Sequence, residues 1–257
     1  MAYVNKNSVE IWRGPSRIDG RRIVVILTGL LASANRKTGA MLQTYILLQD
    51  VDPIRAVAEG LDVSICGGCI HRKNRKTGKR SCYVNLGKGP RGVFKSWAAG
   101  NIRAVGLEAA AELARGSMVR LGTYGDPAAV PAYVWRELLT LAAGWTGYTH
   151  QSASPKFRDV LEWCQVSADL VDDAIAARRA GIGSFRVLLP NEEPQPFETL
   201  CPSNSGVQCI DCGACSGFTG ESIAIPVHGI GARNFDPNRI RRRALSLPVL
   251  NPARAMA

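Results

Sequence analysis

The ten residues MVRLGTYGDP, from Met118 to Pro127, decide the reading of the fold. Met118 to Thr123 reads as a strand, and Asp126-Pro127 supplies an N-cap and a first-turn proline for a helix running towards Ala143. The same alternation continues downstream. Thr146 to Thr149 reads as a strand, Lys156 to Leu161 as a helix and Glu162 to Ser167 as a strand again. Asp169 is placed to cap a helix through Ala180 with Gly181 as its stop, and Ser184 to Leu189 and Ser222 to Val227 read as further strands. Strands alternating with helices at this spacing imply right-handed βαβ units. The expected class is α/β: a mostly parallel βα sheet, open or curled into a partial (β/α) barrel, carrying two cysteine-rich metal-binding segments.

Upstream, Arg22 to Thr28 and Met41 to Leu48 are β-rich, joined by a loop that contains Lys37-Thr38-Gly39. That tripeptide alone is weak as a phosphate site, because the rest of a P-loop pattern is missing. Pro53 to Glu59, Arg91 to Ala99 and Leu107 to Ala114 read as helices. The chain divides into a β-rich part of the core (1–62), a basic cysteine segment (63–107), a βα core with a second cysteine segment (108–232) and a basic tail (233–257).

Of the 257 residues 46% are hydrophobic, enough for a packed core and against disorder as the main state. The longest apolar run, near Ile23 to Leu27, is far too short to cross a bilayer, so no membrane partner is expected. Met1 to Arg13 lacks the hydrophobic segment of a secretory signal. The expected location is the cytoplasm. There, clustered cysteines more often bind metal or do redox chemistry than form disulfides.

Seven of the eight cysteines are clustered. Cys201-Pro202 with Cys209-x2-Cys212-x2-Cys215 gives four thiolates on a glycine-containing loop. They can wrap a tetrahedral zinc or a [4Fe-4S] cluster, the consecutive x2 spacings leaning towards iron-sulfur. Cys66-x2-Cys69-x12-Cys82 offers three thiolates. If His71 is the fourth ligand this is a closed zinc site; if not, one coordination position stays open to a substrate or cofactor. Cys164 stands alone in an apolar stretch and reads as a small core residue.

Between Val63 and Leu107 there are ten basic residues and no acidic one. Within that stretch Arg72, Lys73, Arg75, Lys76, Lys79 and Arg80 are candidates for contact with DNA or RNA phosphates, their alternative being a solvated loop. Arg239 and Arg241 to Arg243 in the tail are a second such candidate.

In parallel sheets ligands bind beyond the carboxyl ends of the strands. The residues expected there include Tyr124, Asp126, His150 and His228, which are the candidates for substrate binding or proton transfer. Asp126 reads equally as a helix cap, and each histidine equally as a structural residue.

Beyond these local signals, Ile11 to Ser16 with Asp19-Gly20, Cys66-Gly67-Gly68-Cys69, Cys82 to Asn85, Arg120 to Pro127, Thr146 to Gln151, Phe185 to Val187, and Cys201-Pro202 with Cys209 to Cys215 together resemble a family of uncharacterised bacteriophage and prophage proteins. The resemblance spans almost the whole chain and implies expression in a bacterial host cell. More distantly, a βα partial barrel with a three-cysteine site and a later four-cysteine site is similar to radical S-adenosylmethionine enzymes that carry an auxiliary cluster. The Cys-x2-Cys-x12-Cys spacing departs from the Cys-x3-Cys-x2-Cys of those enzymes, and no clear glycine-rich methionine-binding motif is present. The expectation is an iron-sulfur enzyme, with nucleic acid among its candidate substrates; the alternative is a zinc-stabilised nucleic-acid-binding protein without catalytic activity.

Overall fold

A computed structural model of the chain describes residues 5–33, 35–215 and 221–236. The arginines at 239 and 241–243 lie outside the described residues.

Ile23, Val24, Val25, Ile26 and Leu27 are all fully buried, a run without alternation that marks a strand covered on both faces. This strand, β2 (Arg22–Thr28), lies between β1 (Ser8–Pro15) and β3 (Leu42–Leu48), antiparallel to both. β1 was not expected from the sequence. It carries Glu10 on the inner side, where the carboxylate accepts from Trp97 Nε1 at 2.6 Å and pairs with Arg13. A charged residue so satisfied hides the strand pattern.

From β3 onward the chain turns parallel. β4 (Met118–Tyr124) pairs with β3, and β5 (Gly144–Thr146) with β4, completing a five-stranded sheet of order β1-β2-β3-β4-β5. The second sheet consists of β6 (Tyr148–Thr149), β7 (Gln165–Ala168), β8 (Ser184–Leu188), β9 (Thr199–Leu200) and β10 (Ser222–Pro226), in the order β6-β7-β8-β10-β9 with all pairs parallel. The fold is therefore mixed α/β, with two sheets of mostly parallel strands. One expected strand, Thr146 to Thr149, is split between the sheets at Gly147. A Cβ there would stand 2.8 Å from Cys164 Sγ and 3.2 Å from Trp163 O, so the close approach of the buried segment 163–164 requires glycine.

The crossovers are α1 (Pro53–Glu59), α2 (Val63–Cys66), α3 (Gly89–Ala98) and α4 (Leu107–Ala114) after β3, α5 (Ala132–Leu139) after β4, a 3-10 segment (Pro155–Glu162) after β6, and α6 (Val171–Arg179) after β7. α7 (Cys209–Cys212) carries two of the C-terminal cysteines. Helix α5 sinks Trp135 completely and lets its Nε1 donate to Pro127 O at 3.0 Å, so the core ring keeps a hydrogen-bond partner. Asp126 caps the turn at Pro127–Ala129, its side chain accepting from the Ala128 amide at 3.0 Å.

Three expectations need correction. The helix read from Asp126-Pro127 towards Ala143 is a 3-10 turn, Pro127–Ala129, followed by α5 over Ala132–Leu139, because Val130, ahead of Pro131, is extended and separates them. The strand read as Glu162 to Ser167 begins later, at Gln165, because Pro155 to Glu162 remains in 3-10 turns. Asp169 does not cap α6: the Asp173 carboxylate accepts from the amides of Asp169 and Leu170 at 3.2 and 3.1 Å, leaving the Asp169 side chain to face His150. Among the described residues no helix is long and apolar enough to cross a membrane.

Candidate functional site

Strands of both sheets face one cavity of about 690 Å³. Arg120, Gly122, Thr123 and Tyr124 from β4, Phe185 and Val187 from β8, and Ile223 and Ile225 from β10 line it. All seven clustered cysteines line the same cavity. Cys164 does not; it is fully buried in the core, as expected.

The three-cysteine segment is built on the turn after α2. Ser16 Oγ donates to Ser64 O at 2.6 Å and Ser64 Oγ donates to Asp19 at 2.7 Å, so the β1–β2 turn fixes the helix that ends in Cys66. Gly67 follows with φ +51°, and a Cβ on it would lie 2.3 Å from Gln151 Oε1. That space is used: Gln151 accepts from the Gly68 amide at 3.1 Å and donates to Cys66 O at 3.2 Å. Burial pushes the Cys66 thiol well up, and the neighbouring Cys69 adds to it; burial also raises Cys82, opposed by Arg80. Thiols in this condition become thiolates only where a cation offsets the cost, as a metal does.

The four-cysteine segment docks on the loop before β3. The Cys209 amide donates to Lys37 O at 3.0 Å, and the Ile210 amide to Thr38 O at 3.3 Å. Lys37-Thr38-Gly39 is thus the seat of α7. Burial raises Cys215 to about 12, against a hydrogen bond from Tyr148 and the nearby Arg120 charge; burial raises Cys209 too, again opposed by Arg120. Arg120 donates to Tyr83 Oη at 3.0 Å and lies 5.4 Å from the centre of the Tyr148 ring. Among the described residues no carboxylate pairs with it. The acidic groups that favour its charge are the Tyr83 and Tyr148 hydroxyls and the Cys209 thiol. Lys37 sits on the same side: burial lowers its pKa, and the Cys201, Cys209 and Cys215 charges counter that.

The four strand-end candidates separate by role. Asp126 is buried, and its Oδ2 accepts from the His150 amide at 2.9 Å and from Gln151 Nε2 at 3.1 Å, so it organises the strand ends. His228 is held at both nitrogens, Nδ1 against Pro226 O at 3.0 Å and Nε2 against Lys37 Nζ at 2.9 Å. Burial pushes it towards the neutral form, and Lys37 and Arg120 reinforce this. Tyr124 is 3% exposed, lines the cavity and has a hydroxyl with no hydrogen-bond partner among the described residues. His150 Nε2 lies 3.6 Å from Cys69 Sγ and 3.5 Å from Asp169 Oδ1. Burial disfavours its charge, but Cys69 and Asp169 outweigh it and raise its pKa well above the ordinary value.

His71 Nδ1 stands 3.1 Å from Ser81 Oγ, and the ring packs edge-on to His150 and stacks on Phe235. The structure brings His71 together with His150 and Asp169; the latter was missed in the sequence, where an aspartate before a helix reads as its cap.

The basic run divides in two. Arg72 is committed inward, paired with Asp62 at 2.6 Å and donating to the carbonyls of Gly60 and Gly67, and Arg80 donates to Cys82 O and Val84 O. These two brace the cysteine segment and are not spare for phosphate. Lys73 donates to Ala58 O at 3.4 Å. Arg75, Lys76 and Lys79 are exposed on a turn that Asn74 closes by accepting from the Lys76 and Thr77 amides. Comparison of the chain with family models, with curated proteins and with solved structures finds no match.

Proposed function

We propose that this chain is an iron-sulfur enzyme with two cysteine-ligated centres, the three-cysteine one open to substrate and the four-cysteine one closed. What supports this most is that both cysteine sets face one substrate-sized cavity. Purely structural metal sites have no need of a shared cavity. The consecutive Cys-x2-Cys spacings favour iron-sulfur over zinc.

The strands of both sheets that line the cavity support a partial barrel as the frame. A cluster held by Cys66, Cys69 and Cys82 would supply one-electron chemistry, and the distant likeness to radical enzymes names S-adenosylmethionine as the small ligand. The chain's own residues do the rest. Gln151 and Asp126 hold the Cys66 turn, Arg120 and Lys37 offset thiolate charge, and the Tyr124 hydroxyl is the polar group offered to a ligand. Anaerobic purification with iron, sulfide and zinc analysis tests the proposal: iron with sulfide supports it, and zinc alone refutes it.

A second reading, a nucleic-acid-binding protein of a phage-infected bacterial cytoplasm, is favoured by the exposed turn bearing Arg75, Lys76 and Lys79. The two are compatible if the substrate is DNA or RNA.

A further inference from the structure

We infer that His71, His150 and Asp169 form a mononuclear divalent-metal site distinct from both cysteine centres. The three residues come from separate parts of the chain: the cysteine segment, the end of β6 and the end of β7. Nevertheless one ligand atom from each lies within 4.8 Å of the other two, and among the described residues this is the group of three that meets that condition.

The distances suit a metal. Ligand bonds of about 2.1 Å at tetrahedral angles place a nitrogen and an oxygen about 3.4 Å apart. His150 Nε2 and Asp169 Oδ1 are 3.5 Å apart, close to that separation. The outer contacts suit it too. With His71 Nδ1 against Ser81 Oγ, Nε2 is the nitrogen assigned to the metal, and the hydroxyl orients the ring. The His150 backbone is fastened by Asp126. Asp169 is turned towards His150 because Asp173 has taken over the helix cap.

Two imidazoles and one carboxylate with open positions suit Fe(II) in particular, and three-ligand zinc as well. All three residues line the cavity, so the open positions face the place where a substrate would sit. Cys69 Sγ approaches His150 Nε2 to 3.6 Å but is not in the group, which places this site next to the three-cysteine centre rather than inside it.

The test uses the full chain, purified anaerobically and treated with chelator until loosely held metal is gone while the visible absorption of the cysteine centres is unchanged. Co(II) is then added. One Co(II) per chain should bind with d–d bands and no thiolate-to-cobalt charge-transfer band. Asp169→Ala and His71→Ala should each weaken that binding on the order of 100-fold while leaving iron, sulfide and zinc contents unchanged. Should Asp169→Ala fail to fold by circular dichroism, His71→Ala and Asp169→Asn carry the same comparison. Cobalt that shows a thiolate charge-transfer band, cobalt affinity unchanged in the folded variants, or no stoichiometric cobalt at all would overturn the inference, leaving His150 and Asp169 as an ion pair.

Discussion

The Asp126 carboxylate accepts a hydrogen bond from the backbone N–H of His150 at 2.9 Å, tying the end of β4 to the end of β6 at the cavity. The same oxygen accepts from Gln151 Nε2, which in turn donates to Cys66 O, so one buried acid sets the position of a strand end and of a cysteine turn.

Asp126→Ala should therefore lower stability by about 3 kcal/mol or more, since it leaves the Ala128 and His150 amides and the Gln151 side chain without their acceptor. Urea denaturation measures this. Metal in the three-cysteine centre should fall more than metal in the four-cysteine centre. A loss of activity with no loss of stability would instead make Asp126 a catalytic group.

Arg186 on β8 clamps the segment that leads to Cys201 by pairing with the buried Glu198 at 2.6 Å and with Glu192. Burial would raise the Glu198 pKa, but Arg186 outweighs it and holds the carboxyl below its usual range. A carboxyl depressed in the folded state stabilises above its unfolded pKa, about 4.3, and that contribution is lost as pH falls through the folded value. Thermal unfolding followed from neutral to acid pH should show this loss, and Glu198→Gln should cost about 2 kcal/mol at neutral pH and flatten the acid limb. An acid limb identical in the variant would contradict the assignment.

Arg120→Gln should weaken metal retention at the four-cysteine centre by about 10- to 100-fold and spare the three-cysteine centre, because the guanidinium offsets the charge of Cys209 and Cys215. Chelator competition followed by metal analysis reads this. Equal loss from both centres, or none from either, would contradict it.

Replacing Arg75, Lys76 and Lys79 together with Ala should reduce the slope of log K against log salt on duplex DNA by about 0.9 for each phosphate that is no longer neutralised. Arg72→Ala should destabilise the fold without changing that slope, because its guanidinium is bound to Asp62, Gly60 and Gly67. A wild-type protein with no salt-sensitive affinity for DNA or RNA would dispose of the nucleic-acid reading.

The parallel half of the fold was legible because its helices and strands alternate cleanly and its turns carry strong residues: the strand at Met118, the cap at Asp126 and the helix stop at Gly181 read directly. What escaped depends on tertiary contacts. β1 is disguised by Glu10, whose charge is satisfied by Trp97 and Arg13 far from or beside it in sequence. The break at Gly147 comes from the approach of Cys164, which no local pattern encodes. The cysteine sets were visible as spacing, but their common cavity was not, since it needs strands of both sheets to face one way. Asp169 was misassigned because an aspartate before a helix is more often a cap, and here a second aspartate, Asp173, does that work. The inward turn of Arg72 and Arg80 is likewise invisible in a count of charges.

The most direct measurement is iron, sulfide and electron paramagnetic resonance analysis of anaerobically prepared wild type beside Cys69→Ala and Cys212→Ala. Two iron-sulfur centres per chain are expected, with each variant losing one and keeping the other, and only the centre that survives in Cys212→Ala changing its spectrum when S-adenosylmethionine or another small ligand is added. Stoichiometric zinc with no sulfide, and no spectral response to any ligand, would contradict this.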